Sequence, residues 1–412
     1  MKNVSLLIIG SFFLLAFQSD QNDKQFVQNN FQHAQTMLKK MSAEAGQKPL
    51  AFPRTTDKAG RLVATNMYDW TPGFFAGSLW YSYEYTKDES LKEAATQWTE
   101  KLEPLKTFTE HHDLGFMMYC SYGNAYRITI NEAYKDILVQ SATSLSTRFN
   151  PITGTIKSWN TFASWHGEKK YNFPVIIDNM MNLELLFFAS KASGDTSFRH
   201  VAVTHALNTM KNQIRPDFSS YHVVCYDTVS GKVLARETAQ GYSDNSTWSR
   251  GQAWGIYGFT MAYRETHDPR FLKTAKGMAD FYLNSKTLPA DGVPYWDFNA
   301  GQSGYTPGVN SNAKGAGLTN RDASAAAITA SALFELAEYS GTSAKHYRES
   351  AIKILRTLSG PEYLAKQDTN GNFLLKHSVG SIAHGFEIDS PLVYADYYYL
   401  EALKRYADYL AK

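Results

Sequence analysis

The sequence predicts an all-α fold, an (α/α)6 barrel of six helical hairpins with long loops and a small β-hairpin at one mouth. Three observations carry this expectation. Helix-period segments recur six times, at intervals of roughly 43 to 72 residues. Within each repeat one segment is apolar almost all round and the other, where it can be read, is amphipathic. An open solenoid would give both members of a pair a polar face, whereas a ring of inner helices shielded by outer ones gives this asymmetry.

The elements follow in order. The chain begins MKNVSLLIIGSFFLLAFQSD, one Lys and then an apolar run from Val4 to Phe17 that is short for a bilayer span. Residues 1–20 are expected to be a cleaved secretory signal, sending residues 21–412 to the periplasm as a single barrel domain. The inner segments are WTPGFFAGSLWYSYEYT, HDLGFMMYCSYGNAYRIT, DNMMNLELLFFASKAS, SRGQAWGIYGFTMAYRET, RDASAAAITASALFELAEYS and DSPLVYADYYYLEALKRYADYL. Their starts are placed near Trp70, Asp113, Asp178, Arg250, Asp322 and Asp389. Five outer helices open on an aromatic or Leu four residues before a small or apolar residue: Leu91 and Ala95, Tyr134 and Leu138, Phe198 and Ala202, Phe271 and Ala275, Tyr347 and Ala351. The loops 152–173, 213–248 and 287–321 are rich in Gly, Ser, Asn, Trp and Tyr and would wall the mouth. YHVVCYD and GKVLARE within the second would form the hairpin.

Composition excludes several classes. With 43% hydrophobic and 19% charged residues and a net charge of +2, the chain is a globular protein and carries no basic stripe for nucleic acid. No membrane association is expected once the leader is removed, and nothing specifies an oligomer. The two cysteines, Cys120 and Cys225, carry no sign of pairing. HExxH, CxxC, GxSxG, Walker and dinucleotide patterns are absent, so neither metal nor cofactor is expected. Aromatic residues reach 14%, enough to fill a large core and leave rings for stacking on a sugar.

In PVIIDNMMNLELLFF one acid, Asp178, interrupts an apolar run, and a buried unpaired carboxylate either costs several kcal/mol or takes up a proton. As a helix N-cap it needs no further role, and Asp113, Asp322 and Asp389 sit at corresponding starts with the same reading. Two acids facing across an apolar mouth would instead split their pKa values, the arrangement that acid and base work on sugars requires. Arg250 in STWSRGQAW fits a substrate carboxylate or a helix end equally. Trp70, Trp159, Trp248 and Trp254 are stacking or core residues, and His112, His222 and Gln240 are hydrogen-bonding or structural ones.

Several of these segments in order, HHDLGFMMY, IIDNMMNLELLFFAS and GYSDNSTWSRGQAWGIYGF among them, resemble the unsaturated glucuronyl hydrolases, glycoside hydrolase family 88, from about Asp69 to the C-terminus. The resemblance implies an (α/α)6 barrel acting on oligosaccharides whose non-reducing end is a 4,5-unsaturated uronic acid left by a lyase. It implies hydration of the vinyl ether, with Asp178 protonating C4 and Asp113 as the second acid. His112, Trp70, Trp159, His222, Gln240, Arg250 and Trp254 match its substrate-binding positions. Members that accept sulfated glycosaminoglycan disaccharides have a late Ser-x-x-Ser-x-Lys stretch; here KHSVGSIAH supplies Ser378 and Ser381 but puts Ala383 at the Lys position. The substrate expected is an unsaturated disaccharide from chondroitin, hyaluronan or heparin. The rival readings are a rhamnogalacturonyl hydrolase acting on pectin fragments, a sugar epimerase barrel, and a non-catalytic periplasmic sugar-binding protein.

Overall fold

A computed structural model describes residues 4–47, 51–315 and 317–412, with side chains from residue 21 onward, so the leader expected over residues 1–20 lies outside the residues whose side chains are described. The inner helices are Pro72–Thr86, Leu114–Met118 with its continuation to Thr129, Asn179–Ser193, Ser249–Thr266, Ala323–Glu338 and Val393–Leu410. Each packs on the next, and the sixth packs back on the first to close the ring. Outside them run Glu89–Glu100, Glu132–Ser146, Thr196–Gln213, Pro269–Asn284 and Ala344–Leu358, each packed on the inner helix before it.

Four hairpins share one local device. The inner helix stops on a residue with positive φ, namely Lys87, Ile130, Gly194 or His267, which ends the α-helical path. The next residue, Asp88, Asn131, Asp195 or Asp268, accepts a backbone N–H with its side chain and starts the outer helix. The ten anchor residues predicted for the outer helices, from Leu91 to Ala351, are all buried.

The sixth outer helix is the N-terminal one, Val4–Ala45, which packs on the last inner helix. Val27, Phe31, Ala34, Leu38, Met41 and Ala45 are buried at alternating spacings of four and three, and Tyr399 donates from Oη to Asn30 Oδ1 at 2.7 Å. The barrel is thus closed by pairing the two ends of the chain.

One sequence expectation needs correction. Asp389 does not start the sixth inner helix: it lies in the strand Phe386–Ser390 with φ +55°, its carboxylate on His377 Nδ1 at 2.6 Å, and the helix begins at Val393. Pro391 disfavours the α region at Ser390, which opposes a helix running back to Asp389.

The second inner helix carries a π-helical turn over Tyr119–Gly123, where the i→i−4 ladder widens. Gly115 sits against Asn182 of the third inner helix, where a Cβ would collide with its backbone, and Phe116 N–H donates to Asn182 Oδ1 at 2.8 Å. This close approach fixes the spacing of the two helices that Asp113 and Asp178 precede. The lumen is filled with rings: Phe116 meets Phe74 and Trp254, and Trp254 meets Tyr398, with centroids 5.1 to 5.3 Å apart.

The predicted hairpin forms as Val223–Tyr226 and Val233–Glu237, extended to three strands by Pro174–Ile176, which leads straight into Asp178. A further hairpin, Ser378–Ser381 with Phe386–Ser390, stands at the same end of the barrel.

Candidate active site

One cavity of about 490 Å³ gathers the starts of four inner helices, through Trp70, Asp113, Asp178 and Arg250. Loop residues complete it: Trp159, Thr161 and Trp165 from the first long loop, Gln240 from the second, Asn310 from the third, and His384 and Phe386 from the 378–390 hairpin. Six of the residues singled out in the sequence therefore line it: Trp70, Asp113, Trp159, Asp178, Gln240 and Arg250. His112, His222 and Trp254 are buried and stand behind its wall. Ser378 and Ser381 are also buried; Ser381 Oγ shares a 2.7 Å hydrogen bond with His384 Nδ1, which carries the contact to the cavity.

Capping separates the acids. Asp322 is a helix cap, its Oδ1 accepting from the backbone N–H of Ser324 and Ala325. Neither Asp113 nor Asp178 makes a side-chain cap bond to the helix it precedes, so capping does not account for them.

Their surroundings push them apart. Burial lifts the Asp178 carboxyl from 3.8 to about 7; Arg250 opposes this, the Asp113 charge adds to it, and the Trp254 indole lowers it slightly. Among the described residues its Oδ2 is buried without a hydrogen-bond partner, as is Trp254 Nε1. Burial also acts upward on Asp113, but His112, His111 and Arg148 outweigh it and hold the group below the usual carboxylate range. His111 Nδ1 lies 3.1 Å from Asp113 Oδ2 and His112 Nε2 3.3 Å from Oδ1. Burial drives His112 to about 4, so at neutral pH it stands beside Asp113 as a neutral ring and adds its charge only in the acid range where Asp113 itself titrates; the Asp113 carboxylate in turn raises His111. At neutral pH one acid is ionised and the other is poised to hold a proton.

His222 has its tautomer set by the backbone. Its Nδ1 accepts from the N–H groups of Ala239 and Gln240, both at 3.1 Å, so the proton sits on Nε2, 3.8 Å from Asp178 Oδ2. Burial keeps this ring neutral, so the N–H offers Asp178 a dipole and no charge.

Arg250 is committed to the protein. Its two terminal nitrogens donate to the carbonyls of Val379 and Gly380, the latter at 2.7 Å, and Nη1 lies 3.3 Å from Asp322 Oδ2. The guanidinium stacks over Trp248 at 4.4 Å and is 1% exposed. It anchors the Ser378–Ser381 strand to the starts of the fourth and fifth inner helices. Its reach to a substrate carboxylate is limited to the donors left over.

Sequence reasoning passed over His111, Trp165, Asn310 and Phe386. His111 touches Asp113 directly, and the doubled His in HHD was its only signal. The others come from loops whose course has no periodicity to read. Among the described residues no group of three or more His, Cys, Asp or Glu side chains is arranged to hold a metal ion. Cys120 and Cys225 are both free and buried.

A model of Glycosyl Hydrolase Family 88 matches residues 40–411. The unsaturated glucuronyl hydrolase of Formosa agariphila is 46% identical over 363 residues, which cover 88% of this chain and 86% of that protein. The solved structure of an unsaturated glucuronyl hydrolase specific for heparin superposes with a TM-score of 0.83 at 45% identity, covering 93% of this chain and 98% of that one. A mutant of the Streptococcus agalactiae unsaturated glucuronyl hydrolase, complexed with dGlcA-GalNAc6S, gives 0.75 at 30% identity, over 93% and 91% of the two chains. With matches of this length the chain is a glycosidase and belongs to glycosyl hydrolase family 88.

Proposed function

We propose that this enzyme removes the 4,5-unsaturated uronic acid from the non-reducing end of glycosaminoglycan oligosaccharides left by a lyase. The observation that carries the reading is the pair of uncapping acids in one cavity, Asp113 ionised and Asp178 titrating at about 7. A vinyl ether needs a proton on carbon before water can add, and that requires an acid protonated near neutral pH in a site that shields it from solvent.

Asp178 gives its proton to C4, which places positive charge at C5 and the ring oxygen. Water adds at C5 and returns a proton to the Asp178 carboxylate, which the His222 N–H faces. The hemiketal then collapses, releasing an open keto-uronate and the shortened glycan. Asp113 stays charged, favouring the protonated form of its partner and the cationic transition state. Trp70 and Trp159 supply ring faces for the sugar, and Gln240 a hydrogen-bonding edge.

A relative specific for heparin and a relative's mutant complexed with dGlcA-GalNAc6S support a uronyl-hexosamine substrate. The test is ultraviolet absorbance of the conjugated double bond during incubation with unsaturated chondroitin, heparin and pectin disaccharides. Loss on the uronyl-hexosamine compounds supports the proposal, loss on the pectin fragment alone supports the rhamnogalacturonyl reading, and no loss on any overturns the proposal in favour of the binding protein or the epimerase.

Export to the periplasm through the 1–20 leader belongs to the same proposal. Cleavage near residue 20 would leave the buried face from Val27 to Ala45 complete. N-terminal sequencing of protein from a periplasmic fraction tests it.

A further inference from the structure

His205 projects from the outer helix Thr196–Gln213 into the protein, with no exposed surface, and the reaction as described gives it no part. Burial, with a small push from His112, holds its pKa near 3, so the ring is neutral. A neutral buried imidazole on an outer helix usually fills a hydrogen-bonding need, and here the need is specific: Nδ1 accepts the backbone N–H of Ile156 at 3.0 Å.

Ile156 belongs to the four residues Thr155–Ser158, and these few residues touch both acid-bearing turns. The Ile156 carbonyl accepts from Asn179 Nδ2 at 2.7 Å, and Asn179 follows Asp178. Ser158 Oγ accepts from Ile176 N–H at 2.9 Å, and Ser158 N–H donates to the Pro174 carbonyl at 2.9 Å, which fixes the strand leading into Asp178. The Ser158 carbonyl accepts the His112 N–H at 3.1 Å, and His112 precedes Asp113. The next residue is Trp159, on the cavity wall. One short backbone stretch therefore sets the position of both carboxylates and of a stacking ring.

We propose that His205 is a positioning residue for the acid pair, acting through the 155–158 segment from a helix that does not reach the cavity. The inference rests on the function proposed above. Removing the acceptor frees a buried N–H and lets the segment shift; a misplacement near 1 Å at the reacting groups costs up to about 10²-fold in rate.

The experiment compares His205→Asn, whose Oδ1 can take the place of Nδ1, with His205→Gln, whose acceptor lies one bond further out, and with His205→Phe, which has none. Ser158→Ala cuts the same path at its other end and leaves His205 intact. The expected result is a fall in kcat of about 10- to 100-fold in His205→Phe and His205→Gln with KM within about threefold. His205→Asn should retain most of the rate and Ser158→Ala should follow the Phe variant. The basic limb of the pH profile should move in the slow variants, because the Asp113 charge that helps raise Asp178 has changed its distance; Arg250, His222 and His111 also face the pair, and His112 and Arg148, which donate to the Lys157 and Ser158 carbonyls, shift with the segment.

The proposal is overturned if folded His205→Gln and Ser158→Ala keep the wild-type rate and profile, or if Asn and Gln lose activity equally and in step with thermal stability. Should His205→Phe not fold, the Asn, Gln and Ser158→Ala proteins decide. A wild-type chain inactive on every unsaturated disaccharide would sink the proposed function instead, which keeps the two failures apart.

Discussion

Replacing Asp178 with Asn separates the two readings of this carboxylate in one variant. Asn caps a helix as well as Asp does, so a capping role predicts little change in stability. The structure shows no cap bond, and it shows burial lifting the group from 3.8 to about 7. A carboxyl raised in this way favours folding while it is neutral, so its contribution is complete below the unfolded value and is lost as pH rises through about 7. At about 1.4 kcal/mol for each tenfold, roughly 4 kcal/mol has been withdrawn by pH 8. The Asn amide would be buried in the same place at a cost of about 1–3 kcal/mol, so the net expectation at pH 8 is a gain of about 1–3 kcal/mol. That gain should shrink toward zero or reverse at about pH 3, below the unfolded value, where the wild-type acid is protonated in both states. Turnover moves the other way, falling by at least about 10²- to 10⁴-fold, because an amide keeps the shape and has no proton to give to carbon. Denaturant unfolding at the two pH values and the absorbance assay measure both effects. A variant with wild-type turnover, or one destabilised at pH 8, refutes the reasoning.

Three other outcomes follow from the same geometry. For the wild type, kcat/KM should fall about tenfold per pH unit above roughly 7, as Asp178 loses its proton, while Asp113 stays ionised on the acid side to below the usual carboxylate range; a pH series of initial rates checks this. Arg250→Ala should cost about 3–5 kcal/mol, because it leaves the buried Asp322 carboxylate and two strand carbonyls without their partner, and should raise KM through the loosened 378–381 strand. A chain starting at Gln21 should melt cooperatively by circular dichroism, whereas one starting at Gly46 should not, having lost the helix whose Phe31, Leu38 and Met41 cover the last inner helix.

The fold was legible where periodicity was strong and local. Leu91 with Ala95 and Phe271 with Ala275 show the i, i+4 spacing of one buried face, and the structure buries both pairs completely. The sixth outer helix escaped because its apolar residues follow an export-like run, and the run drew attention from the 3.6-residue stripe beyond it. Asp389 was misplaced because an acid before an apolar segment looks like a cap, although Ser390-Pro391 disfavours it.

The site was legible in its residue types and less so in their roles. An acid in an apolar run marks Asp178 at once. Whether such an acid caps a helix depends on side-chain geometry that no spacing encodes, and Asp322, which does cap, looks the same in sequence. Arg250 is similar: its carbonyl partners are about 130 residues away in the chain, so its commitment to the 378–381 strand could not be read locally. His111 and Trp165 entered through loops held by long-range hydrogen bonds, among them Trp165 Nε1 to the Ala239 carbonyl at 3.0 Å.

The most direct measurement follows the Asp178 carboxyl itself, by carbon NMR of aspartate-labelled protein with the signal assigned through its loss in Asp178→Asn. A shielded acid waiting to protonate an alkene should titrate near 7 and move downward once Asp113→Asn removes the neighbouring charge. A carboxyl that titrates near 4 and ignores that substitution would show an ordinary surface acid, and the hydration chemistry would have to be assigned to another group.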